Sequence, residues 1–372
     1  MEKKHKSNET GRGGRLRRLA VAAVLAAGMA LPALAGWEGG APMTLPRSGA
    51  GAVVLANGKL LMVGGRDTQG SAFGYYTADL YDPAANTWSQ SPYSNAAHYL
   101  PGVARLANGN VLVAGGLGAS GLQSVAEIYV AATGTWTSAA PMGRTRWAHT
   151  LTTLTGGGVL AVGGVISNGT PQATVELYDP ATNTWSYKAS LASARRDHTA
   201  TLLPDGRVLV AGGEDVNYMK LTSAEIYDPA TNSWTSAGSM SGARGWHTAT
   251  LLGNGKVLVA GGASDNGPIA SAQLYDPATN GWSSAGTLSF ARQQHTAVTL
   301  PSGKVLVAGG WPATTTAAQV YDPATNTWAS AGTLAQGRYL QGAGLVSNGK
   351  AVLAGGNTSA NTKLSSVELY QE

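Results

Sequence analysis

Seven Gly-Gly pairs, each closing a short apolar run, set the rhythm of this chain: Gly64-Gly65, Gly115-Gly116, Gly163-Gly164, Gly212-Gly213, Gly261-Gly262, Gly309-Gly310 and Gly355-Gly356. Successive pairs lie 51, 48, 49, 49, 48 and 46 residues apart. A repeat of that length, with each copy ending a hydrophobic strand in Gly-Gly, means a radial array of four-stranded sheets. Such an array hosts binding modules and enzymes alike, so it constrains fold more tightly than function.

Within one copy the four strands, a to d, can be placed in turn. Ala194 to Leu203 carries the alternating His-Thr-Ala-Thr of strand a, and Val208-Leu209-Val210 is strand b. Glu225-Ile226-Tyr227 is strand c, and strand d surrounds Trp234. Asn57-Gly58, Asn108-Gly109, Gly157-Gly158, Asp205-Gly206, Asn254-Gly255, Ser302-Gly303 and Asn348-Gly349 sit between a and b. These residues tolerate the positive φ that tight hairpins demand. Between c and d stands Tyr-Asp-Pro-Ala, starting at Tyr81, Tyr178, Tyr227, Tyr275 and Tyr321, while copy two departs with Tyr129-Val130-Ala131. Aspartate bonds the backbone ahead of it and proline presets φ, so this is turn chemistry.

Trp88, Trp136, Trp185, Trp234, Trp282 and Trp328 follow the c strands at near-constant spacing. The seventh copy reaches Tyr370 without its tryptophan, while Trp37 precedes the first strand a by the usual interval. The N-terminal strand is therefore expected to complete the last blade and close a ring of seven, which removes exposed sheet edges. Recurrence in every copy points the repeated Trp and Tyr residues to blade packing rather than ligand stacking.

With its Gly-Gly, following Tyr and later Trp, the chain resembles the kelch family across residues 36–372. The resemblance implies an all-β, seven-bladed β-propeller with strand a innermost around a channel.

Residues 1–35 read as a secretory signal, outside the fold. Lys3, Lys4, Lys6, Arg12, Arg15, Arg17 and Arg18 precede an apolar run from Leu19 that ends in Ala33-Leu34-Ala35. Cleavage there would leave Gly36-Trp37 as the new N-terminus. Arg17-Arg18 also suits a twin-arginine signal. The formal charge of +5 belongs wholly to this segment, since 18 basic and 18 acidic residues remain beyond it. A general nucleic-acid-binding surface is thus not expected. No cysteine is present, which excludes thiol catalysis, Cys-based zinc sites and disulfide support. A soluble, monomeric product in the periplasm or outside the cell is expected, without stable membrane insertion.

The tight turns nearly repeat, but the b–c loops do not. They run from Arg66 through Phe73, Tyr75 and Tyr76 in blade 1 to Trp311-Pro312-Ala313-Thr314 in blade 6. Loops that escape the repeat on a rigid scaffold are where function is expected, at the channel mouth on the b–c and d–a face. Arg47, Arg146, Arg195, Arg244, Arg292 and Arg338 stand where strand a begins there, with His98 in blade 2. Guanidinium forks at a mouth would suit carboxylate or phosphate. In kelch proteins that bind acidic peptides, arginines at this position contact ligand, and Arg47 to Gly51 looks like such a segment. The same arginines could equally lock neighbouring blades. Three residues on come His149, His198, His247 and His295; on separate blades without short-range ligand spacing, they suggest imidazole-to-backbone bonds rather than a metal ring.

The residues that break the repeat are Trp147 and Trp246 beside strand a, Trp311 after the blade 6 Gly-Gly, and Tyr218 near Glu214 and Asp215. Such aromatics beside charged groups can stack on a sugar, anchor a peptide or pack loop on loop. The expected function is an exported binding module for a protein, peptide or glycan, with no catalytic residue, metal or cofactor. A saccharide-active enzyme is the alternative. Of the kelch-like enzymes, the copper-radical sugar oxidase relies on a Cys-Tyr crosslink and fails here for want of cysteine. A sialic-acid mutarotase could use arginines with Glu214 or Asp215, but no carboxylate pair has a spacing that specifies acid–base chemistry.

Overall fold

The computed structural model describes residues 36–67, 74–166, 169–312 and 315–372. Residues 1–35, expected from the sequence to be a signal, and the blade 1 and blade 6 loop residues Phe73, Ala313 and Thr314 lie outside the described residues. Among those described there is no helix, and seven four-stranded antiparallel sheets form the blades. In blade 4, for example, strands a to d are Thr199–Leu202, Val208–Ala211, Ser223–Asp228 and Ser233–Ser239. Each strand a lies against the strand a of the next blade, and Gly51–Val54 of blade 1 meets Gly342–Leu345 of blade 7. The inner ring is closed.

Strand b explains the uninterrupted apolar runs. All four of its residues are buried in every blade. Alternate residues face opposite neighbours: Leu61 and Val63 pack on Val111 and Val113 of blade 2, while Leu60 and Met62 pack on Val352 and Ala354 of blade 7. A strand covered on both faces has no polar side to alternate with. There are consequently seven apolar cores, and each lies between two blades rather than inside one.

The repeated tryptophans tie the rim. Each packs against the strand c tyrosine of its own blade at 5.0–5.3 Å between ring centroids. Each indole N–H donates to a backbone carbonyl of the preceding blade, as Trp185 does to Ala140 and Trp234 to Ala189. The circuit includes the closure: Trp88 donates to Ala41, and Trp37 donates to Ala331 of blade 6. Gly36–Gly40 pairs antiparallel with Val367–Gln371, with Trp37 opposite Tyr370, as the interval before the first blade predicts.

The Gly-Gly pairs are the joints. Both residues of each pair adopt positive φ, 59–69° for the first and 85–108° for the second. The second glycine N–H donates to the carbonyl of the next blade's arginine, as Gly213 does to Arg244 at 2.8 Å, with His98 taking the arginine's place after Gly65. A Cβ on the first glycine would run into that same carbonyl oxygen. Conformation and clearance together admit only glycine.

Removal of residues 36–43 should lower the melting temperature and leave Val367–Gln371 as an open edge that drives association. Trp37→Ala alone should cost at most about 3 kcal/mol, the lower end for truncating a tryptophan, since the ring is only partly buried. A deletion variant that melts like the intact chain and elutes as a monomer would refute closure by this strand.

Candidate functional site

The repeated arginines point into the blades. All six are fully buried. In each, Nη1 donates to the carbonyl of the first glycine of its own blade at 2.8–3.0 Å. The guanidinium also reaches the start of strand c, as Arg195 does at the carbonyl and hydroxyl of Ser223. In four blades it pairs with a strand c carboxylate: Arg47 with Asp79 (3.2 Å), Arg146 with Glu176 (2.7 Å), Arg195 with Glu225 (2.6 Å) and Arg338 with Glu368 (2.8 Å). The same carboxylates accept backbone N–H groups of the d–a loop, such as Ala192 on Glu225. His98 reproduces the arrangement in blade 2, bonding Gly115 and Glu127.

Of the two roles open to these arginines, the geometry fits a structural one, though the guanidinium fastens the Gly-Gly and strand c of its own blade and only the backbone reaches the preceding blade. Their forks are committed and buried, so they do not line a mouth. In blades 5 and 6 the carboxylate is replaced by Gln273 and Gln319, which still hold the d–a loop through Ser241 and Ser289. Desolvation without that counter-ion pulls Arg244 and Arg292 down to about 10, so both stay charged at neutral pH.

The histidines also turn inward; His149 and His295 lie against the expected backbone, at Ala114 and Ala260, and three of the four find a hydroxyl. His198, His247 and His295 reach the Thr150, Thr199 and Thr248 hydroxyls of the preceding blade at 2.9–3.1 Å. Gln341 continues the series to Thr296. Blade 2 has Gly102 where blade 3 has Thr150, so His149 meets no such hydroxyl. Desolvation, reinforced by the neighbouring arginines, pushes His149 and His295 down to about 3. These imidazoles are neutral packing groups.

What remains at the mouth is a set of nested rings. In every blade the residue after the arginine or His98 bridges to the residue after Gly-Gly: Ser48 with Arg66, Tyr99 with Leu117, Trp147 with Val165, Arg196 with Glu214, Gly245 with Ala263, Gln293 with Trp311 and Tyr339 with Asn357. Arg66, Glu214 and Trp311 thus hold one equivalent position. The next residue inward adopts a left-handed conformation in all seven blades, at Gly49, Leu100, Ala148, Asp197, Trp246, Gln294 and Leu340, with φ from 51° to 63°. Backbone bonds of 2.9–3.2 Å link these residues blade to blade at six of the seven steps. Left-handed φ on a leucine or tryptophan is costly and persists only where surroundings impose it; here the circular bonding does so. The scaffold fixes the backbone of this ring and leaves its side chains free to differ.

Those side chains enclose a cavity of about 280 Å³, lined by Tyr99, Leu100, Trp147, Arg196, Asp197, Trp246, Gln294 and Leu340. Contributions from blades 2 to 7 place it on the channel axis. Trp147 and Trp246 both line it, from adjacent rings rather than from equivalent positions. Arg196 donates from Nε to Glu214 at 2.8 Å and pairs with it again through Nη2, and Lys220 also pairs with Glu214. Glu214 is thereby buried at 2% exposure and saturated. Asp215 is spent on its own loop, accepting from Asn217 and Met219. Tyr218, 57% exposed, lies over the Arg196 guanidinium at 5.1 Å, and Lys220 lies over Trp246 at 4.9 Å. Arg66 stacks on Tyr99 at 4.1 Å, and Trp311 meets Tyr339 edge-on at 5.4 Å, outside the cavity wall. A larger hollow of about 430 Å³ on the opposite face is walled by a–b and c–d turns of blades 3 and 4. It is the groove between two copies of a repeated turn.

Asp197 and Arg196 escaped sequence reasoning. The signal that could have found them is positional: aligned on the arginines, Asp197 stands where blade 5 carries Trp246. Asp197 is only 16% exposed. Desolvation pushes its carboxyl up to about 7, with Glu214 adding to the rise, while Arg196 at 3.6 Å, the Trp246 side chain and Lys220 pull the other way.

Two outcomes test these assignments. Arg195→Ala strands Glu225 in the protein interior, and loss of a buried partner should cost about 3–5 kcal/mol in chemical denaturation; a loss near zero would return that arginine to the surface. For Asp197, the folded pKa exceeds the unfolded value. The native state then holds a proton that the unfolded chain has released between about pH 4 and 7, so this group's contribution to stability falls as pH rises through that window. Asp197→Asn should gain on the wild type in melting temperature across the same window, and parallel curves would show that the carboxyl is not desolvated.

The family model described as the KLHDC2/KLHL20/DRC7 Kelch-repeats domain matches residues 148–356. No curated protein matches the chain by sequence. Among solved structures, a fungal alcohol oxidase of the AA5 family, in complex with copper, superimposes with a TM-score of 0.73 at 20% identity, over 91% of this chain and 76% of that one. At that identity the likeness concerns fold. The chain has no cysteine, its strand a histidines turn into blade packing, and among the described residues no group of three or more His, Asp or Glu side chains is placed to hold a metal ion. With seven blades, glycine joints and a family match over more than half its length, the chain belongs to the kelch-repeat family.

Proposed function

We propose that this kelch propeller is an exported binding module whose ligand enters the axial cavity on the b–c and d–a face. One observation carries the reading. The repeated arginines are consumed by bonding within their own blades, and the histidines and rim tryptophans by blade-to-blade bonding, whereas in the cavity wall only leucine recurs at an equivalent position, as Leu100 and Leu340. A wall that the repeat does not require is free to be shaped by a ligand. Trp147 and Trp246 supply aromatic surface, and Asp197, Arg196 and Gln294 supply hydrogen-bonding groups, the usual composition of a small-ligand pocket. Export rests on residues 1–35, whose basic stretch, apolar run and Ala-Leu-Ala ending suit secretion.

Glycan and peptide arrays probed with the exported protein test both halves. The secreted product should begin at Gly36 by mass spectrometry. Its array signals should fall with Trp147→Ala and survive Lys59→Ala on the opposite face, with hot-spot losses of about 1–3 kcal/mol. Signals that follow Lys59 instead would move the site, and a product retained in the cytoplasm would overturn export.

A further inference from the structure

Burial of the repeated arginines changes what the cavity can hold. An array of guanidinium forks would have selected carboxylates or phosphates; none of the six lines the wall. Among the described residues the one cation that does, Arg196, is already paired with Glu214 and lies 3.6 Å from Asp197. The other groups facing Asp197 are Glu214 and Lys220, and those two are paired with each other. The cavity therefore offers an incoming anion no uncommitted positive charge, and it presents a carboxyl of its own.

The remaining wall is amphiphilic. Trp147, Trp246 and Tyr99 offer aromatic surface, Leu100 and Leu340 aliphatic surface, and Asp197 and Gln294 donors and acceptors. At about 280 Å³ the space lies at the lower limit of small-ligand pockets, suited to one ring rather than an extended chain. A flat ring with apolar C–H faces and hydroxyls around its edge matches both halves of this wall: its faces cover the indoles, and its edge meets the carboxyl and the amide.

Building on the assignment of the ligand to this mouth, we infer that the cavity takes an uncharged pyranose, as a free monosaccharide or a glycan end, and discriminates against acidic sugars and carboxylate-ended peptides. Ionised Asp197 sets that discrimination, because an anion placed beside it meets like charge and the two nearby cations are already paired with Glu214.

The test uses the full protein with glucose, galactose and N-acetylglucosamine as neutral probes. Galacturonate and a short peptide with a free C-terminal carboxylate are the anionic ones. Binding is followed by saturation-transfer NMR and tryptophan fluorescence. At least one neutral sugar should bind saturably at millimolar concentration, and the anionic probes should bind at least about tenfold more weakly. That ratio should widen from about pH 5.5 to about pH 8.5 as Asp197 ionises, and Asp197→Asn should flatten the pH response. Trp246→Ala should weaken sugar binding by about 10- to 100-fold. Gln294→Ala gives a second reading should the tryptophan variant melt early. Galacturonate or the peptide binding more tightly than every neutral sugar, with sensitivity to Trp246 and Gln294, would overturn the ligand class while keeping the mouth as the site. Ligands indifferent to all three substitutions would overturn the site itself. Absence of any neutral-sugar signal would likewise overturn the inference.

Discussion

The contact on which this propeller depends is the one between a glycine N–H and the carbonyl of the next blade's arginine. It recurs at every joint, with His98 standing in for arginine once. It needs two successive left-handed residues and leaves no room for a Cβ. The arginine then fills the space beneath with its own side chain, gathering the first glycine carbonyl, the start of strand c and, in four blades, a carboxylate. Burying so many cations is expensive on its own terms, and the cost is offset by hydrogen bonds from both Nη atoms of every arginine. Only the Nε atoms of Arg47, Arg146, Arg244, Arg292 and Arg338 are left without a partner in that arrangement.

Division of labour follows from that joint. Positions that touch the next blade are repeated because each neighbour presents the same surface. Positions one and two residues beyond the arginine have their backbones held just as firmly, by bridges to the b–c loop and by the circular bonding of the innermost ring. Their side chains, however, do not follow the repeat: several line the axial cavity, and those that meet a loop, such as Tyr99 under Arg66 or Tyr339 against Trp311, meet different partners. Identity there is not dictated by the repeat while placement is rigid, the combination that a recognition site needs.

The legible and illegible parts of the sequence divide along the same line. Gly-Gly spacing, the Asn-Gly and Asp-Pro turns and the Trp interval reveal blades, turns and closure because each states a backbone or packing requirement that recurs. The arginines were legible as a period but not in direction: a sequence shows that a guanidinium sits at the mouth end of strand a, not whether it turns toward the axis or beneath the Gly-Gly. Trp147 and Trp246 both fall between Arg and His, yet they differ by one residue in frame and occupy different rings. Asp197 was hidden for another reason. Its carboxyl is raised by burial, with Glu214 adding to the rise and Arg196, Trp246 and Lys220 opposing it, and no local pattern records that company.

The closing strand bears on the order in which the molecule can be built. Blades 1 to 6 each draw their four strands from one continuous stretch, so each can assemble as its segment emerges. Blade 7 cannot, because its outermost strand, Gly36–Gly40, precedes all the others and pairs with Val367–Gln371 at the far end. Closing a loop of that length adds only a slowly growing entropy cost, but it imposes a wait, during which an early strand is free to pair wrongly. The composition of the strand blunts that danger: Gly-Trp-Glu-Gly-Gly has three glycines and a charge, which makes it a poor template for any passing edge. It acquires its worth only when Tyr370 and the carbonyl of Ala331 are in place to receive Trp37. The ring is thus fastened by a clasp that stays inert until both ends of the chain exist.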